Sequence, residues 1–75
     1  MPTIQFFYKS RVVMYAGDHP PPHTHVMMRD GRECLVYLDD LVVTGRVSAR
    51  EIQNELQWIS LHRRQLYETW RRLNP

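Results

Sequence analysis

Three of the four histidines fall in one short segment, Asp18-His19-Pro20-Pro21-Pro22-His23-Thr24-His25-Val26. In extended backbone, side chains two residues apart share a face, so His23 and His25 present two imidazoles side by side. That His-x-His spacing is used for first-row metals such as Zn²⁺. His19 lies across the proline loop and can fold back as a third ligand. Asp18 can be a fourth, or can orient an imidazole from behind. The same residues support acid–base chemistry, because neutral and protonated imidazole can serve as base and acid near neutral pH. With an arginine to stabilise charge on a phosphorus centre, this is enough for metal-free RNA cleavage. Arg11, Arg29 and Arg32 flank the segment on neighbouring predicted strands. His19, His23 and His25 are thus the candidate catalytic residues, and with Asp18 the candidate metal ligands. The competing reading is structural: prolines and histidines build a tight corner, with the imidazoles bonded to backbone.

Arginine supplies nine of the ten basic residues, Lys9 being the other. Arginine suits bidentate carboxylate and phosphate recognition, so this bias says more than the net charge of +2 or the pI near 9.0. Arg63, Arg64, Arg71 and Arg72 lie on a predicted helix and form a candidate phosphate or RNA stripe. Their ordinary role is to complement the negative end of the helix dipole. No glycine-rich phosphate loop, helix-turn-helix or RNP-like signature accompanies them.

The positioning elements read as α+β. Residues 3–8 and 11–15 are β-branched and aromatic and predict two strands around a Lys9-Ser10 turn. Residues 18–22 cannot join a ladder, because three prolines donate no hydrogen bonds, and predict a stiff, polyproline-like loop. Residues 23–29 and 32–38 predict a hairpin, with Asp30-Gly31 as a type I′ turn. Asp39-Asp40 breaks the second strand, and residues 41–44 predict a last extended segment closed by Gly45. Ser48-Ala49-Arg50-Glu51 is a capping box, with Val47 and Ile52 placed as a hydrophobic staple. One long helix over residues 49–72 is expected, ended by Asn74-Pro75. Ile52, Leu56, Ile59, Leu66 and Trp70 form its core-facing stripe. The expected architecture is an antiparallel meander of four or five strands packed against this helix. Trp58 and Leu61 fall off the stripe and are the candidate partner interface, to another protein or a second copy.

With 75 residues, the chain has room for one domain, 1–75. Hydrophobic residues at 43% and charged residues at 24% are globular proportions, not those of disorder. The single cysteine, Cys34, excludes an internal disulfide and a thiolate zinc cluster, and reads as a buried small hydrophobe. A cytosolic (cytoplasmic) protein is expected: no apolar run reaches the length of a membrane span, and the N-terminus lacks the basic region and cleavage site of a signal peptide.

The assembled pattern resembles a small bacterial family, domain of unknown function 4160, over nearly the whole chain. The resemblance rests chiefly on Asp18-His19-x-Pro21-Pro22-His23-x-His25-Val26. Met1-Pro2-Thr3-Ile4, Met14-Tyr15, Trp58, Leu61-His62-Arg63 and Trp70 support it. Pro20, before the usual Pro-Pro, is a departure. The resemblance implies a stand-alone protein encoded beside another short protein, an arrangement like a toxin–antitoxin pair, and so a protein that works with a partner. An RNA-cleaving toxin would suit the histidines and arginines, and so would a metal-binding module without catalysis. Two functions are therefore expected to compete. The first is an interaction module of a toxin–antitoxin-like system. The second is a ribonuclease-like or metal-dependent hydrolase, with zinc as its candidate metal.

Overall fold

The computed structural model describes residues 3–75, so the Met1-Pro2 start of the family pattern lies outside the described residues. β1 (Thr3–Phe6), β2 (Ser10–Val13), β3 (His23–Met28), β4 (Glu33–Tyr37) and β5 (Val43–Gly45) form one sheet. Each strand pairs antiparallel with its neighbour in sequence, which is the expected meander with five strands. The chain then turns through a 3-10 segment, Ala49–Ile52, into α1 (Gln53–Leu61) and α2 (Arg63–Leu73).

Alternation along the strands divides the sheet into two faces. Val12 lies opposite Val26, Val26 opposite Cys34, and Val36 opposite Thr24. These valines and Cys34 pack with Ile52, Ile59, Leu66 and Trp70 into one buried cluster, so both helices cover this face. Each fully buried Leu or Ile there contributes roughly 1.5–3 kcal/mol. Leu56, also on the expected stripe, is partly buried against the cluster. Cys34 is buried as expected, and burial pushes its thiol up to about 11. The odd-numbered positions of β3, including His25 and Met27, project from the opposite face, beside Val13 and Arg11.

The long helix expected over residues 49–72 is not continuous. Its first turn is 3-10, and Ile52 sits at φ −123°, ψ 40°. A second break falls at His62, at φ −110°, ψ 20°. There the Trp58 carbonyl accepts both the His62 amide, at 3.0 Å, and its Nδ1–H, at 2.8 Å. The imidazole stacks on Trp58, with ring centroids 4.4 Å apart and planes at 22°. A side chain that bonds back to its own turn competes with regular helical geometry. The helix start is as expected: Glu51 Oε2 accepts from the Ser48 amide at 2.9 Å and the Ser48 hydroxyl at 3.1 Å. Val47 and Ile52 are both buried.

The hairpin after β3 also differs. Only Gly31 has positive φ, at 96°, whereas a type I′ turn needs it at two successive residues. Gly31 N–H instead donates to the Met28 carbonyl at 3.0 Å, and Met28 N–H to the Arg32 carbonyl at 2.8 Å. This is the three-residue loop that ends in a left-handed glycine. The last strand starts at Val43 rather than Leu41, because Leu41 adopts the left-handed conformation (φ 61°) in the preceding turn.

Candidate metal centre

Asp18 is the hub of the site. Its Oδ2 accepts from His23 Nε2 at 2.9 Å and from His25 Nε2 at 2.8 Å. The i,i+2 relation on β3 puts the two rings together, with centroids 5.2 Å apart. Asp18 comes from the loop before β3, and its position is set from the far end of the chain. Asn74 Oδ1 accepts the Asp18 amide at 2.8 Å, and Asn74 Nδ2 donates to the carbonyls of Trp70 and Tyr15. The site is sheltered: the His23 side chain is 5% exposed, His25 14% and Asp18 21%. Trp70 lies 5.1 Å from the His23 ring, and Tyr15 meets His25 edge-on at 4.8 Å. A cleft of about 390 Å³ opens beside Asp18, between Gly17 and Pro20 on one side and Trp70 and Leu73 on the other.

The outer nitrogens are held as firmly as the inner ones. His23 Nδ1 lies 2.8 Å from the Pro21 carbonyl and His25 Nδ1 2.6 Å from Glu33 Oε2. A carbonyl only accepts, so His23 Nδ1 carries hydrogen. With Asp18 between them, each ring meets an oxygen at both of its nitrogens. Burial raises the Asp18 carboxyl, but hydrogen bonds from His25 and the His19 amide, with charge on both imidazoles, bring it below the usual carboxylate value.

The donor set fits a divalent ion. One ligand atom from each of Asp18, His23 and His25 lies within 4.8 Å of the others. Tetrahedral bonds of 2.0–2.1 Å would separate ligand atoms by roughly 3.4 Å. The Asp18 contacts at 2.8 and 2.9 Å need open by only about 0.5 Å to meet that spacing. The outer bonds have the pattern metal-bound histidines use, one ring nitrogen on the ion and the other N–H on a carbonyl or carboxylate.

His19 does not join this group. Its side chain is exposed on the proline loop, where the Pro20–Pro21 bond is cis, and only its amide touches the site, donating to Asp18 Oδ1 at 3.0 Å. Among the flanking arginines, Arg32 is committed elsewhere, to Asp30 and Glu51, each at 2.9 Å. Arg11 touches Thr3 and Met27, and Arg29 lies over the Tyr8 ring. Arg64, Arg71 and Arg72 are exposed on α2 and Arg63 is partly buried. Glu68 falls one helical turn from both Arg64 and Arg72, so the stripe is interrupted by an acid. Trp58 is partly buried against the core and meets Phe7 edge-on at 6.2 Å, whereas Leu61 is 75% exposed.

Several contributors were not expected. Glu33 reaches His25 because β3 and β4 pair with His25 opposite Leu35, and only the register reveals that. The Pro21 carbonyl and Asn74 act through backbone and long-range contacts that carry no sequence signature. Buried Glu55 accepts from Ser10 at 2.5 Å and ties α1 to β2. Its place one residue before Leu56, on the apolar side of the helix, was the available hint.

Among the described residues no helix is long and apolar enough to cross a membrane. No curated protein matches this chain, and no solved structure does. The family model described as "Domain of unknown function (DUF4160)" matches residues 10–71, a span that includes Asp18, His23, His25, Glu33 and Trp70. The chain therefore belongs to the DUF4160 family.

Proposed function

We propose that this protein binds one divalent metal ion, zinc foremost, through Asp18, His23 and His25. The supporting observation is the double anchoring of both imidazoles: inner nitrogens meet at one carboxylate oxygen, and outer nitrogens are fixed by Pro21 and Glu33. A structural zinc site is closed by four protein ligands, whereas three leave a position for water or substrate. Three ligands beside a cleft suit a metal-dependent hydrolase, in which the ion would acidify a bound water. The chain's own part is to hold both rings by their Nδ1–H bonds and to shelter the site with Trp70 and Tyr15.

Zinc titration followed by thermal melting tests this. Zinc at a hundredfold excess over its dissociation constant stabilises by about 2.7 kcal/mol. For a domain of this size that raises Tm by roughly 10–20 °C. Chelator should reverse the shift and His23→Ala should abolish it. An unchanged melt in zinc, manganese and iron would sink the metal reading and leave the charged cluster as a structural corner.

The partner-protein reading, with its toxin–antitoxin-like arrangement, draws on one observation, the exposure of Leu61. Leu61→Asp should then dissociate a complex while leaving the fold intact. A wild-type chain that sediments as a monomer and co-purifies with no neighbouring gene product would end that reading.

A further inference from the structure

We propose that the β1–β2 hairpin end of the sheet, from Phe6 and Arg11 on the face opposite the helices round to Tyr8 and Lys9, binds single-stranded nucleic acid. Phe6 pairs with Arg11, and Arg11 with Met27, so these side chains share the face opposite the core cluster. Phe6 is 72% exposed and Tyr8, just beyond β1, is 82% exposed. Burial in the core does not explain two such aromatics in a chain this short. Cations interleave with them. Arg29 lies 5.9 Å over the Tyr8 ring, Lys9 follows Tyr8, and Arg11 stands opposite Phe6. Among the described residues no carboxylate pairs with Lys9, Arg11 or Arg29, while the nearby acids Asp30, Glu33, Glu51 and Glu55 are engaged with Arg32, His25 or Ser10. A cleft of about 330 Å³ runs past Phe6, Arg11 and Arg29, and one of about 370 Å³ past Lys9 and Arg29, where Asp30 and Glu51 are already paired with Arg32.

Exposed rings spaced by unpaired cations match single strands: bases stack on the aromatic faces and phosphates meet the cations. In a duplex the bases are already stacked on each other, so the rings would have nothing to bind. A protein partner would be favoured by a continuous apolar patch, whereas this one is broken by positive charge. The surface is separate from the arginines of α2, and it does not depend on a metal at Asp18.

Fluorescence anisotropy with a labelled strand of about twelve nucleotides tests the idea, using RNA, DNA of the same sequence and the duplex. Either single strand should bind better than the duplex, and the two single-strand arms tell which is preferred. Three phosphate contacts give a log–log salt slope near −2, at about −0.7 per contact, and Lys9→Gln with Arg29→Gln should cut it to roughly −0.7. Phe6→Ala and Tyr8→Ala should each weaken binding by about fivefold to a hundredfold, with unchanged melts because both rings are exposed. Chelator should change nothing. No binding at low salt, equal affinity for duplex, or full affinity in Phe6→Ala/Tyr8→Ala would overturn the proposal. So would loss of binding only in Arg71→Gln/Arg72→Gln or only on chelation. Self-association abolished by Phe6→Ala would overturn it too, making the face a protein interface.

Discussion

Zinc binding should be steeply proton-linked, and the hydrogen bonds say how steeply. The Pro21 carbonyl, Asp18 and Glu33 place an oxygen against every nitrogen of the two rings. An ion that takes the two Nε2 atoms displaces two protons, while both Nδ1–H bonds stay in place. Asp18 adds none near pH 5, because its carboxyl is held below the ordinary value of 3.8 and is already ionised. Each proton that the ion displaces costs tenfold in affinity per pH unit. Two protons give about a hundredfold per unit, or roughly 2.7 kcal/mol. Competition with a chelating dye at closely spaced pH values reads the slope directly. His25→Gln should reduce it to tenfold as well as weakening binding. Glu33→Gln, which leaves the ligands untouched, should cost about ten- to a hundredfold in affinity. A wild-type slope of tenfold or less at acidic pH would refute the assignment of both histidines as ligands.

Ser10→Ala leaves the buried Glu55 carboxylate without its hydroxyl donor and should cost about 2–3 kcal/mol, read as a Tm loss of roughly 10 °C or more; Glu55→Gln should cost less. Gly45→Ala should be worse than Gly31→Ala. A Cβ at Gly45, where φ is +127°, would meet the Glu33 carbonyl at 2.8 Å, whereas at Gly31 it would meet nothing within 4 Å. Strain plus clash predicts about 2–5 kcal/mol at Gly45 and about 1–2 at Gly31, by chemical denaturation. Because the folded-state Asp18 carboxyl lies below 3.8, its contribution is present above that pH and lost as pH falls through the lowered value. An acid titration of Asp18→Asn should therefore fall less steeply below pH 3.8 than wild type.

Much of the fold is legible because the patterns are local. The two-residue alternation of Val12, Val26, Cys34 and Val36 and the helical spacing of Ile52, Ile59, Leu66 and Trp70 describe the two sides of one core. Ser48 and Glu51 mark the helix start. His23 and His25 were readable as a pair because β geometry needs no partner to put i and i+2 on one face. Failures arose where a side chain overrode a local pattern. His62 interrupts the helix through a bond and a stack onto Trp58, while its residue type is compatible with helix. Gly31 has the composition of one turn and the geometry of another, because a dipeptide does not state the loop length. Nearness in sequence groups His19 with the other two histidines, although the proline loop carries it to the surface. Glu33 and Asn74 were invisible for the opposite reason, being 15 and 56 residues from Asp18 in sequence.

Core and site are set by the same register. β3 must present Thr24 and Val26 to the helices, both fully buried, and period-two alternation then commits His23 and His25 to the other side. A slip of one residue would turn His25 toward the apolar core and Val26 away from it, so the hydrophobic cost of mispairing enforces the histidine geometry. The loop of Arg29, Asp30 and Gly31 fixes how β4 returns, which puts Leu35 opposite His25 and brings Glu33 within reach of its Nδ1. Beyond His25 the same face passes Met27 and reaches Arg11 and Phe6 across β2 and β1. At about 3.4 Å per residue, Arg11 lies roughly 7 Å along the strand from the Val13–His25 pair. Phe6 and Arg11 therefore share a face with His25, and one register sets both the imidazole pair and the ring and cation further along the sheet.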